Sequence, residues 1–350
     1  MAGGIIHMVT TMQDVANLAG VSAKTVSRVF NNDVRVAPDT RASVQAAMRE
    51  LRYQPNMLAR RFREGRDSVL GVAVPDIGDP FFAVIIRVIE EQAIERGMAT
   101  IVTTLGQAAE RERLGVESLL RRHISGIFIA PVSGDQSYLR TWQDHTPLVF
   151  LDRAPGDVSA DTVVADDEAQ AEAATAHLIR HGHRTIAFVG DTTALVTTSR
   201  RLTGYRRALS KAGLPMLDEL VVLDARLLSF GYASTADAVA DVSRLLAFPD
   251  PPTAVFSSNA QCSMGLVAAL HALGREDVAF VSFGDFPMAA ALDPAITVID
   301  QNPHGLALLA CHALFDRIDT PDDARPAQVH TLQLQLIERG SGELPPSQGV

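Results

Sequence analysis

From Ser68 onward, short β-branched runs alternate with stretches of helical length, and this alternation leaves few folds open. VLGVAVP, TIVTTL, GIFIAPV, PLVFLD, IAFVGD, AVFSS and AFVSFGD read as strands. Several are apolar throughout, as expected when helices cover both faces of a sheet. The intervening segments, such as Pro80 to Gly97 and Asp166 to Gly182, carry helical periodicity. Repeated β-α alternation implies parallel sheets with right-handed crossovers. Ligands on such sheets bind at the carboxyl ends of strands, often in a cleft between two lobes.

At 350 residues the chain exceeds one ordinary domain, so two or three compact units are expected. No uninterrupted apolar run approaches the roughly 20 residues that cross a bilayer. The opening MAGGIIHMV lacks the basic flank of a secretory signal, so a cytoplasmic location is expected. Cys262 and Cys311 lie far apart, which points to ordinary buried residues rather than a zinc site or disulfide framework. Net charge is −10, but its distribution is uneven. Residues 1 to 66 hold ten Lys and Arg against five Asp and Glu, and the remainder holds 21 against 36. A basic head on an acidic body suits a protein that touches phosphate with one end only.

Within the head, Thr11 and Asp14 have capping-box spacing, and Val15, Leu18 and Ala19 form an apolar face, predicting a helix from about Met12 to Ala19. Gly20 supplies a left-handed turn, Val21 the corner and Ser22 a cap for a second helix from Ala23 to about Phe30. In that helix Val26, Val29 and Phe30 face inward, whereas Ala23, Lys24, Ser27 and Arg28 lie on the other side, as suits a helix entering the major groove. A third helix starts at Pro38 and presents Val44, Ala47, Met48 and Leu51 to a small core.

TMQDVANLAGVSAKTVSRVFNN, followed by VAPDTRASVQAAMRELRYQPNMLARRFR, resembles the DNA-binding head and hinge of the lactose-repressor (LacI/GalR) family almost position by position. The resemblance implies base reading by Ala23, Lys24 and Arg28, phosphate contacts by Thr25, Ser27 and Asn31, and a hinge entered through Tyr53, Pro55 and Asn56. Members of the family usually carry a Leu wedge where this chain has Phe62, and Phe62 is expected to intercalate in its place.

The resemblance continues more loosely to about residue 339, through GVAVPDIGDPFF, GIFIAP, VFLDR, HLIRHGHRTIAFVGD, RLTGYRRAL and PAITVIDQ. It implies an α/β protein: a three-helix helix-turn-helix head over residues 10–54, a hinge helix and linker over 55–67, and a two-lobed body over 68–340. The body would resemble periplasmic sugar-binding proteins, with parallel sheets. Carried over by position, Phe81, Asp152, Arg153, Arg201, Asn259, Asp285 and Gln301 would bind a small-molecule effector. Such residues suit a polyol, because carboxylates and amides bond vicinal hydroxyls and an aromatic stacks on a ring. The chain departs from many relatives at Ala260, where they have Asp, and at Gly284, where they have a sugar-chelating Asp. Phe283-Gly284-Asp285 is similar to fructose- and gluconate-repressor branches, which extends the expected ligands to phosphorylated sugars or sugar acids, with Arg153 and Arg201 as anion partners.

No Gly-x-Gly-x-x-Gly, Walker loop, Gly-x-Ser-x-Gly or Ser-x-x-Lys motif is present, so no cofactor and no enzymatic activity are expected. His177, His181 and His183 are expected to be structural rather than metal ligands, since Gly182 looks like a helix cap and no carboxylate or Cys ligand is spaced nearby. The resulting expectation is a homodimeric repressor on a pseudo-palindromic operator, controlled by a sugar-like effector. The tail GSGELPPSQGV has no leucine heptad for tetramers. Two other functions use a body of this kind: a transporter's solute-binding module and a sugar-modifying enzyme. The basic head argues against the first, the missing motifs against the second.

Overall fold

The structure, a computed structural model, describes residues 11–30, 33, 35–51, 53, 69–223, 235–321 and 325–347. The chain forms two compact units that divide between Arg66 and Asp67. The expected hinge over residues 55–67, with Asn56 and Phe62, lies outside the described residues, as does Asn31.

In the first unit, α1 (Met12–Leu18), α2 (Ala23–Phe30) and α3 (Pro38–Glu50) enclose Val15, Ala16, Val26, Val29, Val44 and Ala47. The Thr11 capping box forms as expected, with Asp14 N donating to Thr11 Oγ1 and Thr11 N donating to Asp14 Oδ2. Gly20 takes φ +65°, the left-handed turn between α1 and α2. Ser22 Oγ accepts from Thr25 N at 3.2 Å and so caps α2. One expectation fails: Leu18 is 46% exposed, and Ala16 takes the buried position beside Val15.

The second unit holds two six-stranded sheets. The first runs β11-β5-β4-β3-β1-β2 and the second β12-β10-β9-β8-β6-β7. Their strands are β1 (Val69–Val74), β2 (Ala99–Thr104), β3 (Gly126–Ile129), β4 (Leu148–Leu151), β5 (Asp161–Ala165), β6 (Ile186–Gly190), β7 (Val221–Leu223), β8 (Ala254–Ser257), β9 (Ala279–Phe283), β10 (Thr297–Asp300), β11 (Val329–Leu332) and β12 (Gln335–Ile337). All pairs are parallel except β10 with β12. Helices α4 (Pro80–Glu95), α5 (Ala109–Leu120) and α10 (Pro303–Asp319) pack on the first sheet. The second carries α6 (Asp167–Arg180), α7 (Val196–Lys211), α8 (Thr235–Leu246) and α9 (Ala260–Ala272). The chain passes between lobes three times, from β5 to α6, from β10 to α10 and from β11 to β12. Both sheets share one plan, with the first strand of each lobe lying between its second and third, so both have a topological switch point.

Two features fasten the second lobe. Gly204 lets α7 approach α6 so closely that a Cβ there would meet Glu168 O at 2.2 Å and Glu172 N at 2.8 Å. The C-terminal segment is held by two buried histidines. His177 Nε2 donates to Glu343 Oε1 at 2.5 Å while its Nδ1 accepts from Arg180 at 3.3 Å. His183 Nε2 donates to Leu344 O at 2.9 Å and its Nδ1 accepts from Thr253 Oγ1. Burial holds both imidazoles below their ordinary range, which favours the neutral ring. His181, rather than Gly182 as expected, is the C-cap of α6, and Gly182 follows it at φ +99°. Cys262 and Cys311 are both buried, and burial pushes the Cys311 thiol up to about 12.

Two outcomes follow. Gly204→Ala must spread α6 from α7 against main-chain atoms, and denaturant unfolding should show a loss of about 1–3 kcal/mol. A histidine that folds neutral contributes stability above its unfolded pKa of about 6.5 that is lost as pH falls below it. The melting temperature should therefore drop between pH 7.5 and pH 5.5, and drop less in a His177→Gln, His183→Gln double variant.

Candidate DNA-reading helix and effector cleft

The exposed side of α2 is built by its capping and by its packing. Val26 and Val29 anchor it to the head core, which leaves Lys24 and Arg28 exposed and Ala23, Thr25 and Ser27 half-buried at the margins. Arg28 is the last basic residue of the helix, and its side chain is 49% exposed. Tyr53 is half-buried against the same core, with its N–H on Met48 O at 2.9 Å.

In the second unit, a cavity of about 450 Å³ opens where the carboxyl ends of the two sheets' strands face each other. Six of the seven expected effector residues line it: Phe81, Asp152, Arg153, Arg201, Asn259 and Gln301. Phe81 stands in the first turn of α4, whose cap Asp79 accepts from Phe81 N at 2.9 Å. Asp152 and Arg153 follow β4, and Asp152 adopts φ +64°, a conformation that costs a non-glycine residue roughly 1–3 kcal/mol and collects at functional sites. Its N–H bond to Val163 O at 2.9 Å holds it there. Arg153 donates to Pro131 O at 2.9 Å. Its buried Nε lies 3.2 Å from Asp152 Oδ2 but makes no hydrogen bond among the described residues.

From the second lobe, Arg201 is 4% exposed on α7. Its Nε donates to Asp167 Oδ1 at 2.8 Å and one terminal nitrogen to Ser258 O at 2.7 Å, and its carbon lies 3.9 Å from the Phe283 ring centroid. Asn259 caps α9 by accepting from Cys262 N at 2.8 Å. Gln301, on the β10-to-α10 crossover, is 6% exposed, and among the described residues its amide makes no side-chain hydrogen bond.

Asp285 does not join them. Gly284 turns the chain at φ +103°, and Asp285 points to the surface, where Arg339 forks onto it at 2.9 and 2.5 Å. A side chain at Gly284 would meet Gln301 Oε1 at 2.6 Å, so Gln301 occupies the space of the missing Asp.

Sequence reading passed over other lining residues: Asp76, Asp79, Thr104, Gln107, Arg111, Asp191, Thr197, Thr198 and Gln261. Their signal was available, because each stands within a few residues of a strand's carboxyl end or on the turn that follows it. Asp191 accepts from Thr192 N and from Thr198 Oγ1. Gln261 Nε2 reaches Asp76 Oδ2 across the cleft at 3.5 Å. Burial, with Asp152 and Asp76 close by, raises the Asp79 carboxyl to about 6. No group of three or more metal-ligating residues stands together among the described residues, and none of their helices is long and apolar enough to cross a membrane.

Comparison with known proteins agrees with both units. Residues 11–56 match the bacterial regulatory proteins of the lacI family, and residues 175–342 match the periplasmic binding protein-like domain. The ribose operon repressor of Escherichia coli (strain K12) is 31% identical over 338 residues, covering 95% of this chain and 99% of that one. The HTH-type transcriptional repressor PurR of Pasteurella multocida (strain Pm70) is 28% identical over 320 residues, covering 90% and 94%. A solved complex of the transcriptional regulator CelR with cellobiose is 30% identical with a TM-score of 0.65, covering 95% of this chain and 99% of that one. The lac repressor dimer bound to operator and an anti-inducer is 25% identical with a TM-score of 0.73, covering 96% and 99%. With a basic helix-turn-helix head, a two-lobed body and relatives of this length and identity, the chain belongs to the lacI family of bacterial regulatory proteins and is a DNA-binding transcriptional regulator.

Proposed function

We propose that the chain is a cytoplasmic repressor that binds a pseudo-palindromic operator as a homodimer, and that a neutral sugar or related polyol in the cleft sets its DNA affinity. Ala23, Lys24 and Arg28 read bases, and Thr25 and Ser27 hold phosphates, on the exposed side and margins of α2. Asn31, Asn56 and Phe62 complete the interface in this reading. The ribose and cellobiose in the names of two relatives favour a sugar.

The balance of charge in the cleft carries the choice of a neutral ligand. Four carboxylates line it (Asp76, Asp79, Asp152 and Asp191) against three guanidinium groups (Arg111, Arg153 and Arg201). Arg201 is already neutralised by Asp167 behind it, and Arg153 lies against Asp152. A phosphate entering here would meet an excess of negative charge, whereas hydroxyl groups would find acceptors in the carboxylates and a donor in the Gln301 amide. The sugar-phosphate alternative raised by Phe283-Gly284-Asp285 is therefore the weaker one.

A second copy of the chain fits the edge strand β2. Ile101 and Val102 are exposed on it, and Ile94 and Leu114 are exposed on α4 and α5, the helices that pack against it. An uncovered apolar sheet edge favours association.

Titration calorimetry against neutral pentoses, hexoses and disaccharides and their phosphates tests the ligand class. One neutral sugar should bind, and its phosphorylated counterpart should bind more weakly. Asp152→Asn and Gln301→Ala should each weaken binding by about tenfold or more, since a hydrogen bond to a charged or buried group is worth roughly 1.5–3 kcal/mol. A phosphorylated sugar that binds more tightly than the neutral form would overturn the proposal.

A further inference from the structure

The turn that follows α2 contains a carboxylate that DNA recognition by exposed cations does not require. Asp33 Oδ1 accepts from Arg35 N and Arg35 Nε, both at 3.0 Å, and Oδ2 accepts from the Arg35 terminal nitrogen at 2.9 Å. The same Oδ2 lies 3.6 Å from Arg28 Nε, an ion-pair contact too long to consume a hydrogen bond. The main chain at Asp33 is itself fixed. Its N–H donates to Arg28 O at 3.0 Å, and its carbonyl accepts from Arg41 of α3 at 2.7 Å. Arg41 also reaches Val29 O at 3.5 Å, so α3 ties the end of α2 and this turn together. The Asp33 side chain is 14% exposed, against 49% for Arg28 and 75% for Arg35. A largely buried anion thus sits beside two more exposed cations.

We infer that Asp33 is a positioning residue for DNA reading: it aims the Arg28 guanidinium along the exposed side of α2 and restrains Arg28 and Arg35 from indiscriminate contact with phosphate. This rests on α2 being the reading helix. Two physical effects act in the same direction. A long cation that is already oriented loses less rotamer freedom when it meets a base edge, which favours the correct sequence. A fixed negative charge beside the phosphate backbone opposes binding to every sequence alike, which lowers non-specific affinity. The Arg35 hydrogen bonds hold the Asp33 carboxyl well below the usual carboxylate range, so the anion persists at any physiological pH.

The test uses the full-length chain and the duplex it enriches from a random pool, compared with a scrambled duplex of equal length, over a salt series. Asp33→Asn should bind the scrambled duplex at least about threefold more tightly, and the specific-to-scrambled ratio should fall about tenfold. The salt dependence on scrambled DNA should steepen by roughly one phosphate contact, a slope change near 0.9. Asp33→Glu keeps the charge and should keep the wild-type salt slope. A purely structural turn residue would instead lower both affinities together and leave the slope unchanged, and that result would overturn the inference. So would an Asp33→Glu variant that behaves like Asp33→Asn. If the wild-type chain enriches no duplex at all, the DNA-reading assignment of α2 fails and this inference goes with it, which separates the two failures.

Discussion

The body of this protein is organised around one buried cation. Arg201 is almost wholly removed from water, and a guanidinium in that position survives only where opposite charge and hydrogen-bond acceptors replace the lost hydration. Asp167 supplies the charge, Ser258 the carbonyl and Phe283 an aromatic face. These three come from the start of α6, the end of β8 and the end of β9, so one side chain joins the first interlobe crossover to the centre of the second sheet. Burial pushes the Asp167 carboxyl upward and Arg201 pulls it back, which makes each the condition for the other's charge. Loss of either alone would strand its partner, at a cost of about 3–5 kcal/mol.

Arg201 also lines the cleft, and both its ion-pair partner behind it and the lining residue Gln301 are attached to crossovers. Asp167 stands just after β5, and Gln301 lies between β10 and α10, where the chain returns to the first lobe. A ligand that bonds to Gln301 therefore touches one crossover, and one that bonds to Arg201 touches the ion-pair partner of Asp167 on another. A ligand can bias lobe closure only through contacts that differ between open and closed forms. The Gln261 to Asp76 contact, which spans the cleft at 3.5 Å, is one whose geometry closure would change.

Much of this was legible in the sequence, for physical reasons. The structure places a strand at each of the seven β-branched runs; six are buried on both faces, which demands continuous apolar sequence, and β2 is an exposed edge strand. Five strands escaped: β5 and β10 are buried but only five and four residues long, and the other three are short or uneven. β11 alternates exposed and half-buried residues, β12 has three residues and pairs antiparallel, and β7 is a three-residue edge strand. In the head, Gly20, Ser22 and Pro38 marked the turn, cap and helix start, but periodicity could not tell that Leu18 would lie outside the core and Ala16 within it. In the cleft, resemblance supplied six residues and misplaced Asp285, because the effect of φ +103° at Gly284 on the next side chain is a property of the folded chain. Asp33 was invisible for a similar reason: its meaning depends on the turn that brings it under Arg28.

The central claim is that the cleft and the DNA-reading head share one free energy. Linkage makes this directly measurable, since an effector that changes operator affinity by some factor must have its own affinity changed by the same factor when operator is bound. The decisive measurement is titration of the effector into the free protein and into the protein saturated with its operator duplex, alongside titration of the operator with and without effector. Coupling of the two sites predicts two ratios that differ from one and equal each other. An effector that binds the cleft with the same affinity whether or not operator is present would contradict it.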